Sequence, residues 1–111
     1  MEYLLFIATD TEPDPEGTGG TTIEEWVEEG ERRGIRKQGE RLRPPEDATT
    51  VRVRKGELLV TDGPFTESKE WIAGFDIVEC ADLDEAIDYA SRHPMARFGR
   101  IEIRPFFVWD E

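Results

Sequence analysis

Tyr3-Leu4-Leu5-Phe6-Ile7-Ala8 is apolar at every position. Six residues is the length of a strand rather than of a buried helix. A strand that is apolar at both parities is expected to be covered on both faces of its sheet. Leu4, Phe6 and Ala8 form one set, and Tyr3, Leu5 and Ile7 the other. The rest of the chain has to supply two covers, and reading outward from this strand shows what they are.

The segment Asp10 to Gly20 is rich in Asp, Glu, Pro, Gly and Thr and reads as a long surface loop. Thr22-Ile23-Glu24-Glu25 then fits a capping box, with Thr22 as N-cap and Glu25 at the third helical position. Ile23, Trp26 and Val27 fall on one helical stripe, and Gly34 suits the position after the last turn, so a helix is predicted from Thr22 to Arg33. Ile35 to Gln38 is a candidate short strand, and Gly39 to Asp47, with Pro44-Pro45, a loop. Thr49 to Arg54 alternates as a half-exposed strand does. Lys55-Gly56 can turn the chain back into Glu57 to Val60, giving a β-hairpin.

Thr61-Asp62-Gly63-Pro64-Phe65 makes a rigid corner. Gly63 tolerates positive φ, and Pro64 fixes its own φ and removes a donor. Asp62 before such a turn is suited to accept hydrogen bonds from the amides that follow. The sharper reading is a carboxylate fixed at a strand end, able to act as acid, base or ligand contact. A long strand follows, Trp71 to Cys80, with Gly74 marking a bulge or a close backbone approach. Asp82 caps a second helix whose apolar stripe is Leu83, Ala86, Ile87 and Ala90, and His93-Pro94 ends it. Arg100 to Trp109 reads as the last strand.

With the hairpin set aside the order is βαββαβ, the ferredoxin-like α+β sandwich. Residues 1–111 read as one domain. Two helices cover one sheet face. The other face is expected to be covered by a second copy of the chain, giving a homodimer of the dimeric α+β-barrel kind.

Composition narrows the function classes. A net charge of −12, spread over both halves of the chain, disfavours binding to a phosphate backbone. There is no apolar run of the roughly 20 residues a membrane helix needs, and Met1 to Ala8 lacks the basic flank and length of a signal peptide, so the expected address is the cytoplasm. Cys80 is the only cysteine and reads as a small core residue. One His and one Cys give no recognised metal-ligand spacing; a hard cation among Asp62, Asp76 and Glu102 is the only arrangement to consider, and neither metal nor cofactor is expected.

Pro44-Pro45, Ala48 to Arg52, the Thr61–Phe65 corner with Glu67, Lys69 and Glu70, Gly74-Phe75, and Ile101-Glu102-Ile103-Arg104-Pro105 together resemble the DGPF-domain branch of the YCII-related proteins. The resemblance implies a dimeric α+β barrel. For some relatives it implies a catalytic His–Asp pair, but helix one here has no His, and His93 stands before Pro94 where that pattern has an Asp. It also implies an accessory role beside alternative sigma factors.

The candidate site read from these residues is Asp62, Asp76, Glu102 and Arg104, with Lys69 near by and Phe65, Trp71 and Phe106 as apolar wall. Arg104 is the expected anchor for an acidic or carbonyl ligand. The bland counterpart is a salt-bridge network that sets the dimer register. His93 is a weaker catalytic candidate, more simply a helix C-terminal His near the negative end of the dipole. Three functions remain: a small-molecule-binding or accessory dimer, an acid–base enzyme using Asp62 with Arg104, and a protein-interaction module beside a transcription regulator.

Overall fold

In the computed structural model, residues 1–16, 20–64 and 70–109 are described. Strand β1, Glu2–Thr9, lies at the centre of a four-stranded antiparallel sheet of order β2-β5-β1-β6. Its neighbours are β5, Ile72–Glu79, and β6, Gly99–Pro105; β2, Arg36–Arg41, forms one edge. Helix α1, Ile23–Arg32, joins β1 to β2, and helix α2, Leu83–Ser91, joins β5 to β6. This is a mixed α+β arrangement with the strand order of a ferredoxin-like fold. Strands β3, Thr49–Arg54, and β4, Glu57–Asp62, pair only with each other. No helix among the described residues is long and apolar enough to cross a membrane.

Local signals form the elements they predict. Thr22 accepts from the Glu25 amide while the Glu25 carboxylate accepts from the Thr22 amide, a complete capping box. At α2 the Asp82 carboxylate accepts from the Glu85 amide, and the Glu85 carboxylate accepts from the Ala81 amide, one residue before the cap. Gly34 takes φ +69° beyond the end of α1. Lys55 and Gly56, both at positive φ, turn β3 into β4. Gly63 sits at φ +98°, the conformation the corner demanded. At Gly74 a Cβ would stand 2.8 Å from the Glu40 carbonyl, so this glycine is a close backbone approach.

Three expectations change. The last strand ends at Pro105 rather than Trp109: the Phe106 amide makes one more bond, to the Glu2 carbonyl at 3.1 Å, but β1 begins at Glu2, so the pairing stops there. The candidate strand Ile35–Gln38 runs on to Arg41, into what read as loop. On α2 the buried face is Ala86, Tyr89 and Ala90, while Leu83 and Ile87 are exposed. The helix is rotated toward Tyr89 by its clasp with α1. The Trp26 indole N–H donates to the Tyr89 carbonyl, and the Tyr89 hydroxyl donates to the Trp26 carbonyl, both at 2.8 Å. The two rings stack at 4.2 Å. Gly30 makes room, since a Cβ there would fall 1.9 Å from the Tyr89 hydroxyl oxygen.

The core lies between the sheet and the two helices. Tyr3, Leu5 and Ile7 of β1 pack with Trp26, Val78, Cys80 and Tyr89. Burial raises the Cys80 thiol pKa above its usual value, as befits a core residue rather than a nucleophile. Leu4, Phe6 and Ala8 are half-buried on the outer face, where Phe6 stands opposite Phe75 and Leu4 opposite Ile77. The hairpin carries a second uncovered apolar surface. Val51 pairs with Val60 and Val53 with Leu58, on one face of the ribbon, and each of the four is more than half exposed.

Candidate functional site

The residues singled out in the sequence do not form one site. In the register, Asp76 stands opposite Leu5, and Glu102 and Arg104 stand opposite Phe6 and Leu4. Adjacent residues of β1 point to opposite faces. Asp76 therefore faces the helices, and Glu102 and Arg104 face outward. The constellation of Asp76 with Glu102 and Arg104 is split by the thickness of the sheet, which also removes the arrangement considered for a cation. No group of three or more metal-ligating side chains gathers among the described residues. Asp62 is exposed at the end of β4, in the hairpin's separate sheet. Its corner is tied to β3: the Gly63 amide donates to the Ala48 carbonyl at 2.7 Å, and the Thr50 hydroxyl donates to the Gly63 carbonyl at 2.7 Å. Phe65 and Lys69 lie outside the described residues. Phe106 is exposed past the end of β6.

A different site forms on the helix-covered side. A cleft of about 540 Å³ opens between β1, β2 and β5, the first turns of α1, and the segment His93-Pro94-Met95. Ile7, Ile23, Val27, Trp71 and Met95 give it an apolar wall. That volume is within the usual range of small-ligand pockets, roughly 300–1,000 Å³. Trp71 is fixed by two bonds to β1. Its amide donates to the Thr9 hydroxyl at 2.8 Å, and its carbonyl accepts from the Thr9 amide at 2.9 Å.

Thr9, Arg36, Glu40, Arg41, Asp76 and His93 are the polar residues of its lining. Asp76 is 5% exposed and His93 6%, so both are held almost wholly out of water. Arg36 donates from Nε to Asp76 Oδ1 at 2.8 Å and from Nη2 to the Gly39 carbonyl at 3.1 Å. Its Nη1 lies 3.5 Å from the Glu31 carboxylate. A register shift between Arg36 and Gln38 makes this possible. Residues three apart in a regular strand face opposite ways, but the bulge brings Arg36 and Gly39 to the same side, around Asp76. Gly39 has no alternative there, since a Cβ would fall 1.9 Å from Asp76 Oδ1.

His93 leaves the end of α2 and rests edge-on against Trp26, with ring centroids 4.6 Å apart. Its Nδ1 accepts from the Met95 amide at 2.9 Å, which leaves the ring proton on Nε2. Burial, assisted by the positive charge of Arg36, lowers its pKa from 6.5 to about 4. His93 does stand just past the C-cap of α2, near the negative end of its dipole, but burial of the ring outweighs the helix end and keeps the imidazole neutral. Burial raises the Asp76 carboxyl above its usual value, and the bond and charge of Arg36 oppose that rise. The cleft thus holds a carboxylate paired with a guanidinium and a neutral imidazole donor.

A second depression, about 490 Å³, lies on the outer face over Phe6, Ala8 and Ile72, with Arg100, Glu102 and Arg104 around it. Arg100 is ion-paired to Glu70.

Arg36 and the Trp26–Tyr89 clasp went unnoticed in the sequence. The one signal for Arg36 was a short charged strand containing a glycine, which does not identify the bulge. Comparison with known proteins gives a YCII-related domain match over residues 5–110. An uncharacterized protein of Rhizobium meliloti (strain 1021) is 44% identical over 71 residues, covering 62% of this chain and 57% of that protein.

Proposed function

The chain belongs to the YCII-related domain family, and from that premise we propose that it is a small-molecule-binding protein working as a homodimer. The observation that carries the reading is the placement of Asp76 and His93, both almost fully buried, in an apolar-walled cleft instead of in sealed core. Buried polar groups are costly unless they are bonded. A cleft that keeps such groups beside apolar walls has the make-up of a ligand site. Ile23→Trp would fill the cleft from an exposed position on α1 with little cost to the core. Small molecules that shift cleft resonances in the wild type should cease to bind. Binding that survives this change would sink the reading.

We place the chain in the DGPF branch on Asp62-Gly63-Pro64-Phe65 and Gly74-Phe75. The homodimer is supported by two uncovered apolar surfaces, the outer sheet face and the ribbon face of the hairpin. A two-stranded ribbon is at best marginal by itself. A second copy would cover both, with Glu102 and Arg104 able to pair across the interface. Light scattering of the purified protein should give twice the chain mass, and Val53→Lys with Leu58→Lys should weaken the assembly. A monomer at all concentrations would remove the dimer and return the ribbon to the expectation of a different protein partner.

The raised pKa of Asp76 favours a second reading, acid–base catalysis in the same cleft. Asp76 would be the base and the Nε2–H of His93 the donor to a developing oxyanion. This replaces Asp62 and Arg104 in the roles the sequence suggested. An Asp76→Asn protein that binds a turned-over ligand yet converts it at the wild-type rate would eliminate it.

A further inference from the structure

We propose that the cleft selects uncharged molecules bearing a carbonyl beside a hydroxyl or N–H, and rejects carboxylates. This rests on the cleft being a ligand site and names the chemistry it takes. The guanidinium of Arg36 would normally attract an anion, but here it is already committed. Its three nitrogens face Asp76, the Gly39 carbonyl and Glu31. The charged residues around the cleft are Arg36, Asp76, Glu40 and Arg41, two of each sign, so no net charge is left for an ionic ligand to balance. A carboxylate entering it would be brought against Asp76 in surroundings that screen charge poorly.

Two hydrogen-bonding positions remain unused. Asp76 Oδ1 is bonded to Arg36, and no described residue donates to its Oδ2. The Nδ1 of His93 is taken by the Met95 amide, and no described residue accepts from its Nε2–H. One position accepts a proton and the other donates one. A ligand carbonyl fits the imidazole N–H, and a neighbouring hydroxyl or amide N–H fits the carboxylate oxygen. Ile7, Val27, Trp71 and Met95 would enclose the apolar remainder.

Matched pairs in which an amide group replaces a carboxylate, changing the charge and supplying the N–H donor together, test this: benzamide with benzoate, salicylamide with salicylate, and phenylacetamide with phenylacetate. Each is titrated into 15N-labelled wild-type protein while the amides of Gly39, Ala73 and Met95 are followed. The amides should shift these resonances and bind about tenfold or more tightly than their carboxylates, the factor expected when a hydrogen bond to a charged group is exchanged for repulsion. Asp76→Asn, close in shape and uncharged, should bring the two series together. Carboxylates that bind the wild type as well as the amides would overturn the selectivity and leave the cleft as a ligand site. If no member of either series moved the cleft resonances, both this inference and the ligand-site reading would fail. The wild-type comparison decides the matter even if the variant does not fold.

Discussion

The burial of neutral His93 has a consequence for stability that can be worked through in sign and size. The folded protein holds the imidazole pKa at about 4, against 6.5 for an ordinary histidine. Above pH 6.5 the ring is neutral in both states and contributes nothing to the pH dependence. Between 6.5 and about 4 the unfolded chain takes a proton that the folded protein refuses. The unfolded state then binds more protons, so stability falls as pH falls across that window and the loss is complete below it. At about 1.4 kcal/mol per unit, the difference amounts to roughly 3 kcal/mol. That is a large part of the 5–15 kcal/mol typical of a domain. Asp76 acts in the opposite sense. With its folded pKa raised, it takes up a proton in the folded protein first and favours folding as the pH drops. The two contributions are separated by comparing the wild type with His93→Gln, which removes the titrating group and retains an acceptor for the Met95 amide. Urea unfolding of both proteins, from neutral pH down to about pH 4, gives the difference curve. The advantage of the wild type should shrink by roughly 3 kcal/mol across the window. A flat difference, or a His93 ring that titrates at its ordinary value by NMR, would refute the reasoning.

Other expectations follow from the same contacts. Arg36→Met strands Asp76 without its partner and should cost about 3–5 kcal/mol in denaturant unfolding, whereas Arg36→Met with Asp76→Leu should recover most of the loss; equal losses in the two proteins would show that the pair is not what matters. Gly30→Ala pushes a methyl group onto the Tyr89 hydroxyl and should cost about 1–3 kcal/mol. Tyr89→Phe, which removes only the hydroxyl, should cost about 1 kcal/mol and relieve only part of the Gly30→Ala loss when combined with it, because the ring carbon at 2.7 Å and Arg36 Cβ at 2.9 Å remain in the way; a double variant with a loss no smaller than the sum of the two would show that the hydroxyl is not the obstacle. Gly63→Val should lower the melting temperature because a β-branched residue resists φ +98°. An unchanged melting temperature there would mean that the corner relaxes without cost.

The contribution of the sequence can be drawn from particular residues. The capping box at Thr22, the positive φ after α1 at Gly34, the turn at Lys55-Gly56 and the corner at Gly63 are local events. Each depends on a few adjacent residues, and the chain states it directly. The βαββαβ order follows from summing such elements, and the two-sided apolarity of Tyr3 to Ala8 marks the central strand. The site was not legible in this way. Asp76, Glu102 and Arg104 all occupy even positions and look equivalent until the strands are paired. Their faces are set by partners in β1, and Leu5 and Phe6 are neighbours that point in opposite directions. Parity within a strand is local, whereas the phase between strands is a property of the assembled sheet. The same holds for Arg36, which reaches Asp76 forty residues away through a bulge that no residue in Arg36–Arg41 announces. His93 shows the limit most clearly. Its place at the end of a helix could be read from Pro94, but its neutrality comes from Trp26, Met95 and Arg36 closing around it, which only the tertiary structure decides.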